Sequence, residues 1–218
     1  MSQQTMIQGY AAPLRIANFD TDQVMPKQFL RGIDKSGLKD GLFYDLRFDD
    51  EGRLKPDFFL NQAAYASTDV LIAGPNYGCG SSREHAVWGM QQYGFKAVIA
   101  SSFAEIFYSN AMGNRLLLVV LPEDQVQALM KDADEQCGPI QIKIDIENGI
   151  VSTLKHRFTF SMSARHQQMF LEGLDVIGLT LKYQDQINRF AQSHWQAKPW
   201  IKNIARRVVD RLANSSHT

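Results

Sequence analysis

Asp69-Val-Leu-Ile-Ala-Gly74 leads into Gly78-Cys-Gly-Ser-Ser-Arg-Glu-His85, and that octapeptide runs on into Ala86-Val-Trp-Gly-Met-Gln-Gln-Tyr93. The first six residues are a short apolar run, the pattern of a buried strand. The last eight read as a helix. A glycine-rich turn therefore joins a strand to a helix N-terminus. Backbone N–H groups lack intrahelical partners there, and the helix dipole favours an anion. Gly78 and Gly80 permit positive φ and close backbone approach. Ser81, Ser82 and Arg83 add two hydroxyls and a guanidinium, enough for a pocket that takes a carboxylate or phosphate. The same residues admit a structural reading. Ser81-x-x-Glu84 fits a capping box, with the serine as N-cap and the glutamate reaching back.

The pattern stays regular downstream of the turn. Strand Val70–Ala73 and the helix after Ser82 are followed by a strand at Lys96–Ala100 and a helix at Phe103–Asn110, capped by Ser101 or Ser102. Leu116–Leu121 has almost no alternation and reads as a strand buried on both faces. Pro122 opens a helix that continues from Glu123 to Lys131. Strand and helix alternating at this spacing argue for parallel βαβ units. The period then changes. Ile140, Ile142, Ile144 and Ile146 alternate with Gln141, Lys143 and Asp145, the mark of a half-buried strand. Asn148-Gly149 signals a type I′ hairpin, with Ile150–Leu154 returning and His156–Phe160 extending or adding a strand. Arg165–Glu172 is helical and stops at Gly173. Leu181–Ser193 is an amphipathic helix. Residues 198–218 place Arg206, Arg207 and Arg211 among apolar residues, a helical tail that touches a membrane surface or docks on a partner.

Upstream, Tyr10–Ile16 reads as a strand. Asp20, Thr21 and Asp22 are turn or cap residues, or else the two acids bind a metal. Lys27–Leu30 is a helical turn. Residues 32–41, with three glycines and little periodicity, read as a mobile loop. Leu42–Phe48 is a short helix, Pro56–Asn61 is extended and Asn61–Tyr65 is again helical.

Composition bounds the function. With 218 residues and 44% hydrophobic content, the chain is long enough for one domain with a real core. Basic and acidic residues number 23 each, so no global field favours nucleic acid or an anionic membrane. The two cysteines, Cys79 and Cys137, make no disulfide framework and are too few for a four-thiolate cluster or zinc site. The N-terminus lacks the basic and apolar regions of a signal peptide, and no apolar run approaches the ~20 residues of a membrane span. A cytoplasmic protein is expected.

Gly78–His85 resembles the signature of the aconitase swivel domain, whose relatives include the small subunits of 3-isopropylmalate dehydratase. Three further segments are similar to that family, in family order: Asn18–Leu30, Tyr93–Tyr108 and Gly173–Leu181. The resemblance implies an α/β fold, an aconitase-like swivelling β/β/α domain with a parallel βαβ core. That domain would span residues 1–200, with a mobile substrate loop at about 31–41 and a tail extension at 201–218. It also implies a separate large subunit carrying a [4Fe–4S] cluster, in a heterodimer or larger assembly, while this chain binds no metal or cofactor. The implied reaction is a hydro-lyase isomerisation of 2-isopropylmalate, a small dicarboxylate, to 3-isopropylmalate in leucine biosynthesis.

Site roles follow from the same resemblance. Ser81 matches the general base, and Ser82 and Arg83 match residues that hold a substrate carboxylate. Asp22 matches a residue that orients Arg83 or a histidine of the partner, and His85 is structural. Two departures bear on specificity. Lys35 stands where the family usually has an arginine that reaches the substrate, and lysine lacks the planar fork. Asn114–Val120 lacks the proline of the usual Leu-Leu-Pro. These leave room for a dehydratase of another substituted malate, such as a methylmalate. A non-catalytic anion-binding module is the alternative from a different class.

Overall fold

The computed structural model describes residues 5–30, 36–80 and 83–215. Lys35, Ser81 and Ser82 lie outside the described residues. The chain divides into two units, residues 1–175 and 176–218.

In the first unit seven strands form one mixed sheet. They are β1 (Met6–Leu14), β2 (Thr68–Ala73), β3 (Ala97–Ala100), β4 (Leu117–Val120), β5 (Ile140–Asp145), β6 (Ile150–Ser152) and β7 (Arg157–Thr159). Their order is β4-β3-β2-β1-β5-β6-β7. The four on one side, β4 to β1, are parallel, and β1, β5, β6 and β7 pair antiparallel. The helices of this unit are α1 (Thr21–Val24), α2 (Leu38–Gly41), α3 (Tyr44–Arg47), α4 (Glu84–Tyr93), α5 (Glu105–Gly113), α6 (Glu123–Gln136) and α7 (Ala164–Glu172). Short 3-10 turns occupy Lys27–Leu30, Phe59–Asn61 and Ala63–Tyr65.

The parallel half explains its own sequence. Val70 to Ala73, Ala97 to Ala100 and Leu117 to Val119 are all buried. Strands covered on both faces gain nothing from a polar residue in alternate positions, so they read as continuous apolar runs. Within β2, β3 and β4 only Val120, at the end of β4, is exposed. Helix α6 packs on β1, β2, β3 and β5. Its buried Val126, Leu129, Met130 and Ala133 recur at helical spacing along one stripe. In the antiparallel half, β5 buries Ile140, Ile142 and Ile144 and exposes Gln141 and Lys143, so the alternation seen in the sequence is one face in and one face out. Each buried isoleucine contributes roughly 1.5–3 kcal/mol. The fold is the mixed α/β, parallel-core arrangement expected.

Several local expectations are corrected. The hairpin after β5 is present, but Asp145 pairs with Ile150, so its loop has four residues. Gly149 is there at φ 63°, whereas Asn148 is not at positive φ, as type I′ would require. Instead the Asn148 N–H and side-chain amide donate to the Asp145 carboxylate at 2.9 and 2.8 Å. Helix α5 begins at Glu105 behind Ala104, with no side-chain cap. Ser102 Oγ accepts from the Asn76 N–H at 2.8 Å, and Ser101 bonds to Glu123. Within the expected loop at 32–41, Leu38–Gly41 is a helical turn. Pro56–Asn61, expected extended, ends in a 3-10 turn.

The second unit holds α8 (Val176–Leu181), α9 (Gln184–Ala197) and α10 (Ile204–Ser215). Ile187 and Phe190 of α9 and Ile204, Val208 and Leu212 of α10 are exposed, and the Lys202 ammonium lies 5.5 Å from the Trp195 ring centre. Among the described residues no helix is long and apolar enough to cross a membrane.

Candidate active site

Three loops at the carboxyl ends of neighbouring parallel strands meet around the glycine turn. The Gly78 N–H donates to Phe19 O and the Thr21 N–H to Cys79 O, both at 2.8 Å. The loops after β1 and β2 are thereby joined through an isolated parallel bridge between Asp20 and Cys79. Side chains add to this seam. The Asn76 amide donates to Asn18 Oδ1 at 2.9 Å and the Cys79 thiol to Asn18 O at 3.1 Å. The loop after β3 joins through Tyr77, whose N–H donates to Ser102 O at 3.2 Å and whose O accepts from Ala104 at 3.1 Å. Open α/β sheets place ligands at this end of their strands.

Beneath the turn sits an aromatic floor. Tyr77 is fully buried, stacked on Phe19 at 5.6 Å and edge-on to Phe107 at 5.3 Å. Its hydroxyl donates to the Met90 sulfur at 3.4 Å, and burial pushes the phenol well above its ordinary pKa. The glycines are required by this closeness. Gly78 and Gly80 have φ of 79° and 90°. A Cβ at Gly78 would lie 2.3 Å from the Phe107 ring, and one at Gly80 would lie 2.5 Å from the Asp20 carboxylate.

Asp20 and Asp22 have separate tasks. Asp20 caps α1: its carboxylate accepts from the Asp22 N–H at 2.6 Å, and Gln23 Oε1 accepts from the Asp20 N–H at 3.1 Å. Asp22 sits in the first turn of α1 and accepts a hydrogen bond from the Arg83 guanidinium. Lys27 Nζ lies 3.8 Å from its other oxygen. A cap and an ion pair take up the two acids, so the metal reading of this pair has no support. Among the described residues no group of three or more His, Cys, Asp or Glu could hold a metal ion. The Arg83 side chain is 23% exposed and that of Asp22 40%. An ion pair this wet contributes at most about 1 kcal/mol to stability, so its effect is to fix where the guanidinium lies.

The head of α4 corrects the capping reading. The helix begins at Glu84, with Arg83 in the N-cap position and no side-chain cap. That start is two residues beyond the one a Ser81 cap needs. Among the described residues the Glu84 carboxylate accepts from the Asn114 amide, at 2.8 Å. His85 lies half-buried with its ring 4.9 Å from that of Trp88. The structure thus brings Asp22 and Arg83 together. Asn114 binds the head of α4 without any signal in the sequence, because its partners there are remote along the chain, and the Asp20 carboxylate, expected as a cap, also borders Gly80. Two grooves of about 330 and 270 Å³ lie elsewhere, against β1, β5 and the residues around Leu154, and hold none of the expected site residues.

These features match known proteins. The family model of the aconitase C-terminal domain matches residues 1–124. The small subunit 1 of 3-isopropylmalate dehydratase from Chromobacterium violaceum is 55% identical over 213 residues, 98% of this chain and 100% of that one. The small subunit from Roseobacter denitrificans is 45% identical over 202 residues, 92% of this chain and 100% of that one. The crystal structure of 3-isopropylmalate dehydratase from Methanocaldococcus jannaschii superposes with a TM-score of 0.60 at 27% identity, covering 84% of this chain and 99% of that one. With most of its length matched, its glycine turn seated at the carboxyl ends of a parallel core and an arginine at the head of the following helix, this chain belongs to the aconitase C-terminal domain family, among the small subunits of the hydro-lyase 3-isopropylmalate dehydratase.

Proposed function

We propose that the chain works with a large subunit in the cytoplasm to interconvert 2- and 3-isopropylmalate by dehydration and rehydration, and that it supplies the base and the carboxylate clamp. The observation that carries this is Arg83, held by Asp22 at the head of α4 beside the Gly78–Gly80 turn. A guanidinium anchored on one side keeps its remaining N–H groups in a fixed plane, able to meet a carboxylate in a bidentate pair. Ser82 adds a hydroxyl to the same carboxylate. Ser81 takes the proton from the substrate carbon in dehydration and returns it in rehydration. A serine hydroxyl is a weak base, and its anion is stabilised by the helix N-terminus and the nearby Arg83 charge.

Residues 1–200 act as the swivel domain, with the loop at about 31–41 bringing Lys35 to the substrate; 201–218 are an extension. The [4Fe–4S] cluster belongs to the large subunit and supplies Lewis-acid assistance to hydroxide departure when bound. The donors of this chain do not suit such a cluster. The Cys79 thiol is engaged by Asn18 O, and Cys137 is exposed at the end of α6.

Lys35 favours a second reading, a dehydratase of the same class whose substrate is another substituted malate, such as a methylmalate. Lysine keeps the charge of the family's arginine and loses its fork. An anaerobic turnover assay of the reconstituted complex on a panel of substituted malates separates the two. Turnover of 2-isopropylmalate at the highest kcat/KM is expected. Turnover of methylmalates with 2-isopropylmalate untouched sinks the leading reading.

A further inference from the structure

We propose that Asn114 is a positioning residue for this dehydration, acting on Arg83 through the first turn of α4. The inference rests on the reading of Arg83 as the carboxylate clamp. Asn114 ends α5, and Arg115 after it takes φ 65°, a left-handed turn that sends the chain into β4. From there Asn114 binds three points of α4. Its Nδ2 donates to Glu84 Oε1 at 2.8 Å, its Oδ1 accepts from the Trp88 indole at 3.0 Å, and its backbone O accepts from the Gln91 amide at 2.7 Å. Residues at these spacings share one face of a helix. A further bond from Nδ2 to Asn110 O, at 2.9 Å, ties the amide to its own helix. The chemistry of the partners sets the orientation of the amide. An indole N–H can only donate and a carboxylate can only accept, so oxygen faces Trp88 and nitrogen faces Glu84.

The head of α4 has no side-chain cap of its own. Asn114 holds it from the α5 side, while Asp22 holds Arg83, the residue just before Glu84, from the loop after β1. The guanidinium is located by both anchors. Misplacing a binding group by an ångström costs up to a hundredfold in rate, so release of one anchor is felt at the substrate.

The test uses the small subunit reconstituted with its large subunit, with kcat, KM and the melting temperature recorded for each variant. Asn114→Asp sets two carboxylates against each other and is expected to lower kcat/KM by about tenfold to a hundredfold, chiefly through KM. Adding Glu84→Gln to that variant restores a donor–acceptor pair and is expected to recover KM to within about threefold. Trp88→Phe keeps an aromatic side chain and removes the indole N–H that Asn114 accepts from, with an expected KM increase of about twofold to fivefold. A merely structural role predicts a lower melting temperature with KM unchanged, and that result overturns the inference. So does an Asn114→Asp loss that Glu84→Gln fails to repair. If Asn114→Asp does not assemble, Trp88→Phe decides: raised KM upholds the inference and unchanged KM overturns it. Arg83→Lys is the control. Its loss of activity beside an unaffected Asn114→Asp overturns this inference alone. A wild-type complex inert towards 2-isopropylmalate overturns the functional reading and this inference together.

Discussion

The two halves of the one sheet are built for different purposes. On the parallel side, β2, β3 and β4 are buried on both faces, and the carboxyl ends of β1, β2 and β3 release loops that meet at Gly78–Gly80. On the antiparallel side, β5, β6 and β7 return through short hairpins, and their charges serve the fold. There the nearly buried Asp132 lies 3.3 Å from the Lys155 ammonium and 3.4 Å from His156 Nε2, fastening the β6–β7 turn to α6. Parallel strands need long crossovers, so every strand end on that side opens into a loop free to carry chemistry. Hairpins spend their residues on turning. The comparison predicts that substitutions on the parallel side strike catalysis and that those on the antiparallel side strike stability.

The largest effect should come from the glycine turn. Ser81→Ala is expected to lower kcat of the reconstituted enzyme by at least about a thousandfold, within the range for a lost general base. Steady-state kinetics check this; intact activity would leave only the anion-binding module. Next comes Arg83→Lys, which keeps the charge and removes the fork. It should reduce kcat/KM by about a hundredfold, mostly through KM, with little change in melting temperature.

Crossing the sheet reverses the pattern. Ile144→Val removes a methyl group from a fully buried position paired with Ile7 on β1. Denaturant unfolding should show a loss of about 0.5–1.5 kcal/mol, while kcat/KM stays within about twofold. A larger catalytic than structural effect would break the division between the halves.

The smallest effect is a pH dependence from His166 on α7. Burial first, and Arg165 second, hold its imidazole below the usual value. The unfolded chain therefore binds a proton near the ordinary histidine pKa, about 6.5, where the folded chain does not. The associated stability is fully present above that pH and falls away as pH drops through it towards the folded value. Unfolding midpoints measured between pH 7.5 and 5 should decline, and His166→Gln should flatten that slope.

Much of this organisation was legible in the sequence because it rests on local periodicity. The apolar runs of β2 to β4 announce burial on both faces, and the isoleucine alternation of β5 announces burial on one. What escaped reading depends on partners far along the chain. Strand β1 lies at the centre of the sheet because it pairs with β2 on one edge and β5 on the other. Helix α4 starts at Glu84, behind an extended Arg83, and Glu84 bonds to Asn114, thirty residues on, a partner that no local pattern announces. The hairpin took a four-residue form because the Asp145 side chain, not the Asn-Gly pair alone, organises it.

By itself, then, the sequence determined where strands and helices would form, that a glycine turn would open a helix, and which family's chemistry that turn resembles. Those are properties of neighbouring residues, whose backbone preferences and hydrophobic period act over a few positions. Only the tertiary structure decided that Asp22 meets Arg83 across 61 residues, that Phe107 and Asp20 leave room at the turn for nothing larger than glycine, and that Asn114 holds the head of α4. Packing makes those choices, because a hydrogen bond or a steric limit between remote residues exists only once the sheet has brought their loops to one end.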